Sequence, residues 1–356
     1  MQKKLIALAI AGLASTAAFA QTNVTVYGVA DASISATTRL GAANGQTQFN
    51  VNSGTLSTSR IGFKGVEDLG NGLKALFVLE YGLNIDANAG IGGTVTSTST
   101  NGRQQFVGLT GGFGTAVVGR LQTTGLDFSV AATALGGSTG IGAAYNAGGG
   151  TLITSASRAN NAIAYISPSF GGVTVAYNHA RLTEAAGTSA PVALTTSAGG
   201  NTDSTANLLS VSYANGPITA GAIYTKVVAA QTNLLADNVK EWGLRAGYDF
   251  KVVKLQALYQ QQKADTTATV GKDKKWAVSA AVPIGAKVAV IAEYAALNVG
   301  STLGADNVKV GTLASTYSLS KRTTAYAGVV AKRVQSDIGA QGLDTNTYAV
   351  GLRHTF

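Results

Sequence analysis

The chain of 356 residues contains no cysteine, four prolines and two histidines. Without cysteine, neither a disulfide framework nor thiolate chemistry is available. The histidines, His179 and His354, lie far apart in the sequence, which argues against a transition-metal site. Beyond residue 20 there is no run of about eighteen apolar residues, so the sequence predicts no transmembrane helix.

Charge is also scarce. Charged residues make up 12% of the chain, whereas soluble domains carry about a quarter. The net charge of +9 raises the possibility of a nucleic-acid partner, but the basic residues are scattered. The densest stretch, Lys272–Lys275, is interrupted by Asp273. The clustered basic footprint of a nucleic-acid-binding protein is therefore missing.

The N-terminal segment has the three parts of a secretory signal peptide. Lys3 and Lys4 precede the apolar or small residues Leu5–Phe19, and Ala18–Ala20 forms a small-x-small cleavage site. We expect residues 1–20 to be removed, leaving one domain of residues 21–356. Loss of the two lysines would reduce the net charge from +9 to +7.

The dominant pattern of the remaining chain is alternation with a period of two. In the segment 73–85 one face carries Leu73, Phe77 and Tyr81, while the other carries Lys74 and Glu80 among mixed residues. The same alternation recurs in the segments 241–250, 253–262 and 287–294. Such spacing predicts β-strands with one apolar face and one wetter face, not helices.

The connectors between these segments alternate in length. Short turns rich in Gly, Asn and Pro occur near residues 68–72, 111–114, 168–172, 215–217 and 283–286. Longer connectors rich in Ser, Thr, Asn, Gly and Ala cover about 38–55, 86–102, 122–157, 184–204, 229–238, 264–273, 299–307 and 335–345. Short periplasmic turns and long external loops are typical of transmembrane barrels.

Counting between the connectors predicts about sixteen strands. Their expected starts are residues 24, 56, 73, 103, 115, 158, 173, 205, 218, 239, 252, 274, 286, 308, 322 and 346. The predicted fold is an all-β, antiparallel transmembrane barrel closed by its first and last strands, because lipid tolerates no unpaired backbone. A barrel of this size encloses an aqueous channel. A soluble β-sandwich also alternates, but explains neither the signal peptide nor the low charge.

Several segments resemble the general porins of Gram-negative bacteria, particularly the trimeric porins of β-proteobacteria. The most specific match is Ser59–Ala75; the others are Val24–Asp31, Arg103–Leu109 with residues 111–114, Val118–Leu121, and the aromatic-ended Tyr348–Phe356. The resemblance implies a homotrimer in the outer membrane, in contact with its lipid and lipopolysaccharide, that passes small hydrophilic solutes. It also implies that Phe356 is an assembly signal and that the third loop, 122–157, folds into the lumen.

The resemblance further implies a constriction at which basic wall residues face acids on the third loop. By motif position the wall residues are Arg60, Arg103, Arg120 and Arg158, with Lys64 on the same face as Arg60. Unlike many relatives, this loop has one acid between residues 122 and 151, Asp127, which becomes the expected main opposing charge. Because fixed positive charge favours anions, we expect weak anion selectivity or none. The alternative is that these arginines are merely solvated lumen residues or form hydrogen bonds with the loop backbone.

No cofactor is expected, and motifs for catalysis are poor. The segment Gly136–Gly140 has the letters of a nucleophile elbow but lacks the strand-to-helix context. A passive diffusion pore is the leading interpretation. An outer-membrane adhesin or surface antigen is the runner-up, and a barrel enzyme comes third. Whether the loops bind calcium or lipopolysaccharide stays open.

Overall fold

The computed structural model describes residues 23–40, 47–93, 102–147, 158–181, 204–228, 238–265, 271–300, 307–335 and 344–356, so the predicted signal peptide lies outside the described residues. The strands are β1 (Asn23–Leu40), β2 (Thr47–Ser53), β3 (Arg60–Gly70), β4 (Leu73–Gly82), β5 (Gly102–Gly111), β6 (Gly114–Gln122), β7 (Arg158–Ile166), β8 (Val173–Arg181), β9 (Thr205–Asn215), β10 (Ile218–Val228), β11 (Asn238–Asp249), β12 (Lys254–Asp265), β13 (Asp273–Ile284), β14 (Val288–Asn298), β15 (Asn307–Ser318), β16 (Thr323–Gln335) and β17 (Asp344–Thr355).

These segments form one closed antiparallel sheet. From β3 to β17 each strand pairs with the next along the chain, and β1 closes the ring by pairing with β17, with Ser33 opposite Gly351. On its other edge β1 pairs first with β2 and then with β3. The segments β2 and β3 are therefore two halves of one barrel strand, interrupted at residues 54–59. The barrel thus has sixteen strands, as the sequence predicts.

One predicted boundary is wrong. The expected first loop, 38–55, is largely strand, because residues 38–40 complete β1 and residues 47–53 form β2. The strand expected to start near residue 56 accordingly begins at Thr47 and resumes at Arg60. The Ser, Thr and Asn content of this region suggested a loop, but its residues 38–40 and 47–53 lie in strands, and threonine favours strands.

The short turns cluster at one rim of the barrel. Between β3 and β4, Asn71 (φ 51°) and Gly72 (φ 78°) both have positive φ, which a two-residue hairpin turn of type I′ requires. The backbone N–H of Gly70 donates to the Asp68 carboxylate at 2.8 Å. Asp68 therefore has a turn-forming role. The longer connectors lie at the opposite rim, which we take as the external one.

The two faces of the wall differ as the alternation predicts. Outward side chains are apolar and exposed, including Leu244 at 53% and Val350 at 65%. Inward neighbours such as Glu241 and Gln260 are fully buried. A large apolar surface turned outward and polar groups turned inward suit a wall that faces lipid.

The third connector carries two short helices, α1 (Thr124–Val130) and α2 (Ala143–Asn146). Helix α1 contacts β8, β9 and β10, while α2 contacts β13, β14 and β15. The loop side chains Phe128, Leu135 and Ile141 pack in one buried cluster with inward wall residues such as Ile223 and Leu258. The described part of the loop therefore lies inside the barrel, as predicted; residues 148–157 lie outside the described residues. No helix among the described residues is long and apolar enough to cross a membrane.

Candidate functional site

Two arginines of the wall share one carboxylate. Arg60 begins β3, and its register partner is Gly82 of β4, two residues beyond Glu80. The Arg60 Nε lies 3.4 Å from Oε2 of Glu80, and the Arg103 Nε lies 2.7 Å from Oε1 of the same residue. The three side chains are between 6% and 17% exposed. Glu80 therefore bridges β3 and β5 and offsets part of their positive charge.

A tyrosine separates Lys64 from this bridge. The Tyr27 hydroxyl donates to Oε2 of Glu80 at 3.1 Å. The Tyr27 ring covers Gly62, where an added Cβ would come within 2.5 Å of the ring, so only glycine fits. The Lys64 Nζ lies 5.3 Å from the ring centroid, which is cation–π distance. Lys64 thus shares the face of Arg60, as predicted, but lies beyond Tyr27 on the side of the short turns.

Arg120 and Arg158 extend the basic cluster across β6 and β7. Arg158 interacts electrostatically with Arg60, Arg103, Arg120 and Glu80, so all four predicted arginines belong to one charge cluster. Its Nη2 donates to the Gln122 side-chain oxygen at 3.4 Å.

Arg120 is held by neutral groups. Its Nε donates to the Gly102 carbonyl at 2.6 Å, and its Nη1 donates to the Asn160 side-chain oxygen. Within the described ranges, neither Arg120 nor Arg158 forms an ion pair with a carboxylate. Their charges are therefore less compensated by described acids than those of Arg60 and Arg103.

Asp127 approaches the cluster from helix α1. The Gln122 amide donates to its Oδ1 at 2.5 Å, so Gln122 links Asp127 to Arg158. Burial raises the pKa of the Asp127 carboxyl to about 6, although Gln122, Arg158 and Arg245 act in the opposite direction. The loop acid is thus mostly charged at pH 7 and loses its charge as the pH falls through about 6.

The loop that carries Asp127 is fastened to the far wall by a second buried carboxylate. Glu293 of β14 accepts the backbone N–H of Leu135 at 2.6 Å and that of Ala143 at 3.0 Å. At the break between β2 and β3, the Thr55 carbonyl accepts the Ser138 hydroxyl at 2.7 Å and the Gly140 N–H at 3.0 Å. The loop is therefore anchored at separate points of the barrel wall.

Sequence reasoning missed two of these acids. Asp127 was the expected main opposing charge, but Glu80 makes the direct contacts to Arg60 and Arg103, so that expectation was incomplete. The alternation did place Glu80 on the wetter face of β4. It did not reveal the bulge between Leu79 and Tyr81, which shifts the register between β4 and β5. The alternation also placed Glu293 on the wetter face of its strand. Nothing in the sequence indicated that it accepts hydrogen bonds from the third loop.

The charge balance of the cluster is positive. Among the described residues, the four predicted arginines stand against the two carboxylates Glu80 and Asp127, a difference of +2. Arg245, which also interacts with Asp127, adds a further positive charge. No group of three or more His, Cys, Asp or Glu able to hold a metal occurs within the part of the chain that the structure describes. The arrangement is therefore a cluster of fixed positive charge on the inner side of the barrel wall.

Comparison with known proteins agrees with this geometry. A sequence profile of the Gram-negative porin family matches residues 7–337. The chain is 31% identical over 380 residues to "Outer membrane porin protein 32" of Delftia acidovorans, covering 100% of both chains. It is 29% identical over 368 residues to "Major outer membrane protein P.IB" of Neisseria meningitidis, again over 100% of both. Among solved structures, "Anion-selective porin from Comamonas acidovorans" superposes with a TM-score of 0.74 at 28% identity, covering 94% of this chain and 100% of that one.

Proposed function

The chain belongs to the Gram-negative porin family, and we propose that it is a passive outer-membrane channel whose constriction favours small anions. The observation that carries this proposal is the imbalance of charge at the constriction. Arg60 and Arg103 share the single carboxylate of Glu80, while Arg120 and Arg158 are bound by neutral groups in the described residues.

The physical argument concerns the ions that pass this point. Fixed charge lining a pore attracts mobile ions of opposite sign and repels those of like sign. Glu80 gives cations little attraction, because its two oxygens already bind guanidinium groups and Tyr27. The relative titled an anion-selective porin, at 28% identity, supports the same sign of selectivity.

We also infer that the channel is a homotrimer of the mature chain, residues 21–356. The outward face of β17, β1 and β2 is strongly apolar, with Ile34, Phe49, Val51 and Val350 between 62% and 76% exposed. A contiguous apolar patch of this kind is suited to contact with another copy. Crosslinking of the purified protein, with its N-terminal residue identified, tests both points: trimers that begin at Gln21 are expected.

Swelling of liposomes that contain the purified full-length protein tests the channel itself. Uncharged sugars of increasing size should enter at rates that fall steadily with size, and a small carboxylate should enter faster than an amine of equal size. Absence of permeation would contradict the proposal and favour the runner-up, a surface adhesin. If the carboxylate and the amine enter the liposomes at equal rates, the protein is a channel but lacks the proposed selectivity.

A further inference from the structure

We propose that Arg245 is a second selectivity-determining residue, which continues the positive path of the constriction past helix α1 towards the rim of short turns. The inference rests on the proposed anion channel and adds to it a residue outside the four predicted arginines. Arg245 lies on β11, where its neighbours Leu244 and Ala246 are exposed on the outer face of the barrel. Because adjacent side chains of a strand point to opposite faces, the half-buried Arg245 faces the lumen.

Arg245 lies deeper in the channel than the arginine cluster. It stands four positions before Asp249, where β11 ends at the rim of short turns. Arg103 and Arg158 stand eight positions before the ends of β5 and β7 at the same rim. For tilted barrel strands this difference corresponds to about 10 Å along the channel axis. An ion that enters from the external side and passes the cluster therefore meets Arg245 as a separate charge.

The Arg245 side chain is fixed against the wall. Its Nη2 donates to the Ser212 hydroxyl at 3.1 Å, and its guanidinium group lies 5.6 Å from the centroid of the Phe128 ring on α1. A Cβ added to Gly221 on the neighbouring strand would come within 2.9 Å of the Arg245 Nε, so this glycine leaves the space that the arginine occupies. Charged side chains fixed along a pore determine which ions pass.

The protein leaves the charge of Arg245 largely uncompensated. Within the described ranges Arg245 forms no ion pair, and its buried Nε has no hydrogen-bond acceptor there. The acid that interacts with it electrostatically is Asp127, which interacts with Arg158 as well. One carboxylate shared between two arginines cannot neutralise both, so a net positive charge remains on this part of the lumen.

Helix α1 separates the two positive sites. Its seven residues, Thr124–Val130, span about 10 Å. Gln122, which binds Arg158, precedes the helix. The Ala131 carbonyl follows the helix and lies 3.5 Å from the Arg245 Nη1. A chloride ion that leaves the cluster thus meets another positive charge, whereas a potassium ion is repelled at both ends of the helix.

A purely structural role for Arg245 makes a different demand on the side chain. A cation beside the last carbonyl of a helix stabilises the helix, and the planar guanidinium group reaches Ser212 and Ala131 together. Such a clamp needs the several N–H groups of arginine in their fixed plane. Selectivity needs only a positive charge at this position, which lysine also supplies.

The test measures reversal potentials of the full-length protein and its variants in planar bilayers, in a gradient of dilute potassium chloride. R245Q should lower the permeability ratio of chloride to potassium about fivefold, because loss of one unit charge acts on the two ions with opposite sign. R245K keeps the charge and should retain a ratio close to that of the wild type. The matched control K240Q removes a charge from the exposed outer face of the same strand and should leave the ratio unchanged.

Two outcomes would overturn the role of Arg245. The first is a wild-type ratio in R245Q, and the second is an equal loss in R245K and R245Q, which would make Arg245 a structural clamp. If R245Q does not fold, S212D replaces it, because a carboxylate beside Nη2 cancels the charge without removing the arginine. A wild-type ratio in S212D would equally reject the proposal.

Failure of this inference is distinguishable from failure of the proposed channel. If the wild type prefers chloride and R158Q lowers that preference while R245Q does not, the anion channel stands and Arg245 has no part in its selectivity. A wild-type protein without chloride preference would contradict both proposals.

Discussion

Arg103 donates its Nε–H to Oε1 of Glu80 across 2.7 Å, and both side chains are mostly buried in the barrel wall. Glu80 thereby lowers the positive potential of the very cluster that it helps to order. Glu80 therefore has two effects on Arg60 and Arg103: it holds their side chains in place and offsets part of their positive charge.

Replacing Glu80 with glutamine should increase the preference for anions. The variant removes one negative charge, so the constriction changes from a difference of +2 to +3 while the side chain keeps its size. One unit charge several ångströms from a hydrated ion contributes about 0.5 kcal/mol in water, with opposite sign for chloride and potassium. The permeability ratio of chloride to potassium should therefore rise about fivefold. Reversal potentials measured in planar bilayers give this ratio directly.

The matched variants sharpen the test of Glu80. Arg158→Gln removes one positive charge from the same cluster and should lower the ratio by a similar factor. Arg333→Gln removes a positive charge from the outward face and should leave the ratio unchanged. If Arg333→Gln lowers the ratio as much as Arg158→Gln does, net protein charge rather than the constriction determines selectivity.

The Asp127 carboxyl should make the selectivity depend on pH. Burial raises its pKa to about 6, so Asp127 is mostly charged at pH 7 and mostly neutral at pH 5. Loss of this negative charge increases the positive balance, and the chloride preference should therefore rise as pH falls through about 6. Asp127→Asn should show the low-pH preference at both pH values; a pH response that persists in this variant would assign the titration to another group.

Glu293 should hold the third loop closed against the wall. Its replacement by alanine leaves the buried N–H groups of Leu135 and Ala143 without their acceptor, at a cost of about 1–3 kcal/mol for each group. Hydrogen exchange of these two amides should accelerate markedly, and single-channel conductance should become larger or noisier. Unchanged exchange would mean that the apolar contacts of the loop suffice to hold it.

Phe356 is expected to act in assembly. Its backbone N–H donates to the Gly28 carbonyl at 3.1 Å and its carbonyl accepts the Gly28 N–H at 3.0 Å, which completes the seam between the first and last strands. Its ring covers Gly28, where an added Cβ would come within 2.3 Å of it. Phe356→Ala should reduce the yield of folded protein in the outer membrane, whereas Tyr348→Ala on the same outward face of β17 should have less effect.

Sequence alternation predicted most of the strands and their faces, because residues two apart on a strand point to the same face. It missed β2, whose residues were expected in a loop. It placed Arg60 and Lys64 on one face, whereas the loop in the lumen was expected from the family resemblance. Contacts between distant segments could not be predicted in this way. Asp31 illustrates this, since its carboxylate accepts the N–H groups of Leu56 and Ser57 at 3.0 and 2.6 Å and stabilises the break between β2 and β3.

The most direct test of the central claim is the reversal potential of the wild-type channel in a potassium chloride gradient across a planar bilayer at neutral pH. The positive balance at Arg60, Arg103, Arg120 and Arg158 predicts a potential whose sign corresponds to chloride being more permeant than potassium. A potential of the opposite sign, showing preference for potassium, would contradict the account.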